Sequence, residues 1–347
     1  MSTDPIPVLD FAQVQGRLQA AGPDGASLLL GNGFSIACDP RYSYRALRQH
    51  ADGLLPEVSR ALLDRLGTDN LEQVLQIVED ARWVAERCGQ SDGSLAETHR
   101  QTCVALVQAL AADHLTSPRQ IDIERDRSSR AVAFMGLFRR IFTTNYDLLL
   151  YWTLMKNPGD RDEGYNYRDG FRRPEGERFG EFDPSVDTNV FYLHGALHLY
   201  ESRAEAGEVR ARKHVRTGNR GLVTIVKGTF ERGDFPLFVA GGRPEQKLAT
   251  IKGSSYLNHC YDAFSTVPGP LVIFGWSLGD SDRHLLSALA ANADLGPVYL
   301  SFYGDPESPT NLRLRATVAE LRDRARERRG APLDIFLFPS QSAAVWG

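Results

Sequence analysis

The sequence predicts an α/β fold, a parallel sheet covered by helices, and three observations predict it. Apolar, β-rich runs recur at 27–30, 140–143, 190–193, 236–240, 271–274, 297–303 and 333–338, most of them separated by helical or long irregular stretches. Such runs are what strands buried on both faces look like. The first run breaks directly into a glycine turn, Gly31-Asn32-Gly33-Phe34-Ser35-Ile36, and the chain between the first two runs carries helical periodicity. Together these give a Rossmann-like parallel sheet covered by helices, with an all-helical insertion after the first strand. Residues 1–48 and 131–347 are assigned to the main domain, 49–130 to the helical insertion, and 157–188 to a loop or lid within the main domain.

Each element has its own signal. Ser27-Leu28-Leu29-Leu30 is a short apolar strand. In the insertion, Leu71, Val74, Leu75 and Val78 follow Asn70, and Leu106, Val107 and Leu110 come later; both sets have the spacing of one helix face. Residues 157–188 are rich in Gly, Pro, Asp, Arg and aromatic side chains without a clean period, and loops of that length are often functional. Ser281 precedes the helical run Asp282-Arg283-His284-Leu285-Leu286 as a capping serine. Ser308-Pro309 opens a helix that stops near Gly330 with arginines in its last turn, as the helix dipole favours.

Composition narrows the function classes. With 347 residues, 42% of them hydrophobic, the chain supplies a real core, and a formal net charge of −4 gives no global attraction for nucleic acid or an anionic membrane. A local basic stretch, Arg210, Arg212, Lys213, His214, Arg216 and Arg220, suits phosphate contacts or a solvated hairpin or loop; it lacks the interleaved aromatics of single-strand binding. No apolar run approaches the roughly 20 residues of a membrane span, and no basic segment with an apolar stretch opens the chain, so a cytoplasmic location is expected. Cys38, Cys88, Cys103 and Cys260 are too dispersed for a zinc module or a disulfide framework. Reduced thiols are expected, with Cys38 near enough to the glycine turn to line a site or to fill the core.

Four strand ends carry the chemistry. Glycines at 31 and 33 allow a sharp turn that brings unpaired N–H groups to a phosphate, although Ile36 replaces the third glycine of a dinucleotide fingerprint and disfavours a standard dehydrogenase. At Thr143-Thr144-Asn145-Tyr146-Asp147 polar groups follow an apolar strand, at the edge where open parallel sheets bind ligands. Asn145 suits a ribose hydroxyl, a held water or a carboxamide, and Asp147 suits the same site or the cap of the following helix. Tyr192-Leu193-His194-Gly195 places an imidazole at a third strand end, where its ordinary pKa of roughly 6.5 suits proton transfer. His198 and His284 read as structural. The fourth end is Phe274-Gly275-Trp276-Ser277-Leu278-Gly279-Asp280, in which Gly275 and Ser277 can donate to phosphate or ribose or simply form a strand-to-helix turn. No metal-ligand spacing is found.

In their order over about residues 26–305, these segments resemble the sirtuin family of NAD-consuming enzymes. Gly-Asn-Gly-Phe-Ser, Thr-Thr-Asn-Tyr-Asp, Leu-His-Gly and Gly-Trp-Ser-Leu-Gly-Asp are most similar to bacterial sirtuin-like proteins, some of which are NAD hydrolases of antiphage defence. The resemblance implies that Gly31 and Gly33 border the pyrophosphate, with Asn32, Phe34, Ser35 and Thr144 in the same nucleotide-binding set. It implies that Asn145 and Asp147 face the nicotinamide ribose, that His194 is the proton acceptor, and that Gly275, Trp276 and Ser277 meet the phosphate or adenosine side. Two family features are absent: no cysteine lies between 104 and 259 to form the four-cysteine zinc module, and Asp39-Pro40-Arg41-Tyr42-Ser43-Tyr44 stands where protein deacylases carry Pro-Asp-Phe-Arg. Both count against peptide deacylation, and no zinc is expected.

The leading expectation is therefore an NAD+ glycohydrolase that takes NAD+ as substrate, without prosthetic group, and releases nicotinamide and ADP-ribose. Breaking that bond leaves an oxocarbenium-like sugar and needs positioning and electrostatic complementarity more than a metal. An unrestrained enzyme of this kind would harm its own cell, so a homo-oligomer, a trigger or a partner protein is expected as a gate. A non-catalytic sensor of NAD or ADP-ribose and an ADP-ribosyltransferase are the alternatives.

Overall fold

The computed structural model describes residues 6–20, 25–115, 118–122, 127–155, 167–172, 179–203, 209–214, 223–224, 226 and 236–347. Among them, six strands form one parallel sheet: β1 (Ser27–Leu30), β2 (Arg140–Thr143), β5 (Val190–Tyr192), β9 (Gly269–Phe274), β10 (Leu295–Phe302) and β11 (Ile335–Pro339). Their spatial order is β11-β10-β9-β1-β2-β5. Numbered one to six along the chain, this is 3-2-1-4-5-6, the doubly wound order in which the first strand sits where the winding reverses. All four residues of β1 are buried, as a central strand covered on both faces requires.

Register brings the four chemistry-bearing ends to one level. Leu30 pairs with Thr143 on one side and Phe274 on the other, and Thr143 pairs with Tyr192. Asn32, Asn145, His194 and Trp276 each lie two residues beyond this row, so they leave the sheet together at its carboxyl edge.

Helix α1 (Phe11–Gln19) precedes β1, and between β1 and β2 the described chain is helical: α2 (Asn32–Cys38), α3 (Tyr44–Ala51), α4 (Glu57–Leu66), α5 (Leu71–Arg87), α6 (Gly93–Asp113), a 3-10 turn at Pro118–Asp122 and α7 (Arg127–Met135). Asn70 caps α5 by accepting from Glu72 N at 3.0 Å, and Leu71, Val74, Leu75 and Val78 are its buried face. These side chains share one apolar cluster with Leu28 and Leu29 of β1. The insertion is therefore packed onto the main core.

Two further helices behave differently from each other. The helix Pro309–Arg329 is capped by Ser308 and ends at left-handed Gly330 with Arg326, Arg328 and Arg329 in its last turn, as expected. Ser281, by contrast, is not a cap. It sits inside a 3-10 turn at Asp280–Asp282, and the following helix starts only at Arg283, with Asp282 in the N-cap position.

The chain on either side of β5, between β2 and β9, holds a second, antiparallel sheet that periodicity alone does not reveal. Its order is β3-β4-β7-β6-β8, with β3 at Phe171–Arg172, β4 at Phe179–Phe182, β6 at Gly195–Arg203, β7 at Val209–His214 and β8 at Pro236–Phe238. The apolar run at 236–240 thus pairs with β6 rather than joining the parallel sheet. Gly195 makes that pairing possible: its φ is +79°, and a Cβ there would lie 2.0 Å from Leu237 O.

The expected 157–188 lid is corrected in part. Residues 156–166 and 173–178 lie outside the described set, while the rest forms β3, β4 and their flanks. Phe171 and Phe182 pack on Tyr256, with ring centroids 4.8 and 5.1 Å away. The basic stretch is strand β7 as far as it is described. Arg212 pairs with Glu181 at 2.7 Å and Lys213 with Asp169 at 2.5 Å; Arg216 and Arg220 lie outside the described residues. No helix among the described residues is long and apolar enough to cross a membrane.

Candidate functional site

A cleft of about 1260 Å³ opens at the carboxyl edge of the parallel sheet. Its floor includes Asn32, Gly33, Asn145, His194, Gly275 and Trp276, with Thr144, Asp147 and Ser277 also on its wall. Tyr44, and Asn70 and Glu72 of the helical insertion, also line it. A cleft across the winding reversal of a doubly wound sheet is where such folds bind ligands.

The glycines act through backbone contact. Gly31 N donates to Phe274 O at 2.9 Å and Gly33 N to Gly275 O at 2.7 Å, while Phe34 N donates to Gly31 O. A Cβ on Gly33 would lie 2.6 Å from Gly275 Cα, and one on Gly275, whose φ is +72°, would lie 2.5 Å from Phe34 N. The two strand ends touch because neither residue has a side chain. The N–H groups of Gly31 and Gly33, expected to be unpaired and free for phosphate, are used in joining β1 to β9.

Three predicted binding residues lie behind the cleft surface. Gly31 is buried beneath it and offers its carbonyl to Asn145. Phe34 is a core residue, its ring 4.9 Å from that of Trp346, whose Nε1 donates to Phe34 O at 2.8 Å. Ser35 is buried and orders the site from below.

Asn145 is fixed from one end of its amide. Nδ2 donates to Gly31 O and to Ser35 Oγ, both at 3.0 Å, and the backbone N–H donates to Thr143 Oγ1 at 3.0 Å. Its Oδ1 is buried and has no hydrogen-bond partner among the described residues. A buried acceptor without a donor is costly and calls for a reason.

Asp147 is a positioning residue. Oδ2 accepts from Ser35 Oγ at 2.6 Å, and Oδ1 accepts from Leu149 N at 2.8 Å at the start of the helix Leu149–Met155. Burial pushes its carboxyl above the usual range, with the Ser35 and backbone hydrogen bonds working in the opposite direction. The same loop is gripped by His114, which the sequence does not single out. Its Nε2 accepts from Leu148 N at 2.8 Å, leaving Nδ1 to donate to Leu115 O at 2.9 Å.

His194 is buried. Its Nε2 lies 3.3 Å from His284 Nε2 and 3.9 Å from Asp282 Oδ1. Burial first, and then the positive charge of Lys247 and the presence of His284, lower its pKa to about 3, although Asp282 works to raise it. The ring is therefore neutral at pH 7 and weakly basic. His284, expected to be structural, is its direct neighbour.

Asp282 and Glu72 of this wall, and Lys247 bonded to both behind it, are further polar groups that sequence reading missed. They come from three remote segments and carry no local spacing, so only the Asp-rich turn after Trp276 offered a signal. Among the described residues, no group of three or more His, Cys, Asp or Glu side chains is placed to hold a metal ion. Cys38 lines the cleft, but burial raises its thiol to about 12, which keeps it protonated and unreactive.

A domain-family model matches residues 28–346, which take in nearly the whole of β1 and the cleft lining as far as Trp346. The chain belongs to DUF4917. This family is described as a domain of unknown function. The DUF4917 match takes in Asn145, His194, Lys247 and Asp282, so these polar groups of the site all lie within the family domain. No curated protein matches the chain.

Proposed function

We propose that the cleft binds NAD+ and that the protein is an NAD+ glycohydrolase, cleaving the nicotinamide–ribose bond to give nicotinamide and ADP-ribose. The observation that carries this reading is Asn145 Oδ1, a buried acceptor without a hydrogen-bond partner among the described residues, on a side chain that lines a cleft at the sheet's winding reversal. A rigid amide oxygen there suits a ribose hydroxyl or an attacking water, the donors this reaction must orient. His194, neutral and two residues beyond the same strand row, is in the form that accepts a proton.

The chemistry balances without a redox partner. Water oxygen bonds to the ribose anomeric carbon as the carbon–nitrogen bond breaks. The bonding pair neutralises the pyridinium, and nicotinamide leaves uncharged. The water proton passes to His194 and then to solvent, either directly or through a ribose hydroxyl. Asp147, with both oxygens occupied, holds Ser35 and the loop that carries Asn145.

The resemblance of the four strand ends to sirtuin-like NAD hydrolases of antiphage defence supports the same reading. A cytoplasmic setting and a gate formed by an oligomer or a trigger protein belong to it. Purified protein incubated with NAD+ over a wide concentration range is expected to release nicotinamide and ADP-ribose in equal amounts, with release lost in folded Asn145→Ala and His194→Ala. Wild-type release by folded Asn145→Ala would overturn the assignment. One observation favours a non-catalytic NAD or ADP-ribose sensor as the second reading: Lys247 weakens His194 as a base. The sensor would bind NAD+ without turnover.

A further inference from the structure

Behind His194 lies a buried ion cluster. Lys247, 1% exposed, donates to Glu72 Oε2 and to Asp282 Oδ1, each at 3.0 Å. Burial opposes its charge, but the two carboxylates outweigh burial and hold it above the ordinary lysine range. Asp282 Oδ2 accepts from Trp276 Nε1 at 3.1 Å. Asp282 also stands at the N-cap of the helix Arg283–Ala291 yet makes no side-chain capping bond to it. An aspartate at that position ordinarily closes the first turn. This one is turned instead toward the cleft wall, and a residue that departs from so strong a local preference has a tertiary reason.

That reason lies in which atom is shared. Lys247 Nζ at 3.0 Å and His194 Nε2 at 3.9 Å face the same oxygen, Asp282 Oδ1. Nε2 is turned toward Asp282 and His284, and His194 lines the cleft. A carboxylate behind one imidazole nitrogen orients the ring and stabilises the cation formed when the other nitrogen takes a proton. An ammonium on that same oxygen cancels much of the effect.

We propose that Asp282 is the positioning carboxylate of His194, with Nδ1 the ring nitrogen that meets a ligand, and that Lys247, anchored from the helical insertion by Glu72, sets how much of its charge His194 feels. The catalytic part of this rests on the reading of His194 as proton acceptor; the pairing itself does not. In this structure Lys247 occupies the carboxylate. Withdrawal of Nζ toward Glu72 leaves Oδ1 to His194 and makes the ring a stronger base. The proton taken up at Nδ1 comes from water or a ribose hydroxyl, Nε2 keeps its own proton facing Asp282, and the extra proton later leaves to solvent. The charged and titratable groups around the ring are Asp282, Lys247 and His284, with Glu72 and the Tyr146 hydroxyl one contact further away.

The test is a double-mutant cycle read by NMR titration of the His194 ring in the full chain, assigned with His194→Gln. Lys247→Met is expected to raise the pKa of His194 by about 1 to 3 pH units. Adding Asp282→Asn is expected to cancel that rise. Should Lys247→Met leave Glu72 too poorly paired to fold, Glu72→Gln with Lys247→Met removes one charge of each sign and carries the same expectation. The pairing is overturned by a rise that survives Asp282→Asn, or by no rise in either folded variant. Nicotinamide release from NAD+ is followed on the same samples. Asp282→Asn is expected to lower kcat about 10² to 10⁴-fold with little change in KM, and Lys247→Met to move the acidic limb of the pH profile upward. A titration that moves in a protein releasing no nicotinamide upholds the pairing and sinks the hydrolase reading; release with an unmoved titration does the reverse.

Discussion

Asn145 and Ser35 are joined by a 3.0 Å hydrogen bond from Nδ2 to Oγ, and this bond orients the amide of a residue that lines the cleft. Ser35 in turn donates to Asp147 at 2.6 Å, so one buried hydroxyl ties the glycine turn to the loop after β2. Ser35→Ala leaves Asp147 Oδ2 and one Asn145 donor position without their partner. It is expected to cost about 1 to 3 kcal/mol in urea unfolding and to lower NAD+ turnover through misoriented Asn145, whereas Ser35→Thr retains a hydroxyl and part of both.

Gly33 and Gly279 distinguish backbone approach from loop chemistry. Gly33→Ala drives a Cβ to within 2.6 Å of Gly275 Cα, whereas at Gly279 the nearest atom to a new Cβ is 3.9 Å away. Gly33→Ala should lower the urea midpoint by the equivalent of about 1 to 3 kcal/mol. Gly279→Ala should stay within about 0.5 kcal/mol of the wild type.

His198 presents the opposite case, a buried polar ring that the fold is expected to do without. Neither ring nitrogen has a hydrogen-bond partner among the described residues, and the ring lies between Tyr151 and Tyr192 at 4.9 and 5.1 Å. His198→Leu is expected to raise stability by about 1 kcal/mol at pH 7, because an unpaired buried polar group is removed.

Acid sensitivity follows from the buried histidines. Burial lowers the pKa of His194 to about 3 and that of His284 to about 4, and moves His198 well below its usual value. Between these values and the ordinary histidine value near 6.5, the unfolded chain binds protons that the folded chain does not. Stability that is complete above pH 6.5 is therefore lost as pH falls toward 4, at up to about 1.4 kcal/mol per pH unit for each histidine. Urea midpoints measured from pH 7.5 to 4.5 should show this slope, and His198→Leu should reduce it by one histidine's share. An equal slope in wild type and variant would refute the attribution.

His114 tests how the insertion supports the site. His114→Phe removes the acceptor for Leu148 N and is expected to cost about 1 to 3 kcal/mol. It should also lower turnover, because the loop carrying Asn145 loses its outer support. Thermal unfolding and nicotinamide release measured on the same preparation check both.

The features legible in the amino-acid sequence are local ones. The runs at 27–30, 140–143, 271–274 and 297–303 are apolar enough to declare buried strands, and the polar groups just after them declare a site because a strand's end leaves the sheet at a fixed edge. Asn145 and His194 were legible for that reason. Only the tertiary structure decided which partner each group meets. Periodicity says nothing of the second sheet, whose strands acquire their pairing from Gly195, β6 and a packed Tyr256. Nor does it distinguish a glycine whose N–H awaits a phosphate from one whose N–H joins two strands, as at Gly31 and Gly33. Glu72, Lys247 and Asp282 carry no shared pattern because they come from separate helices and a turn. Their buried charges hold one another at 3.0 Å only after the parallel sheet and the helical insertion have closed around them.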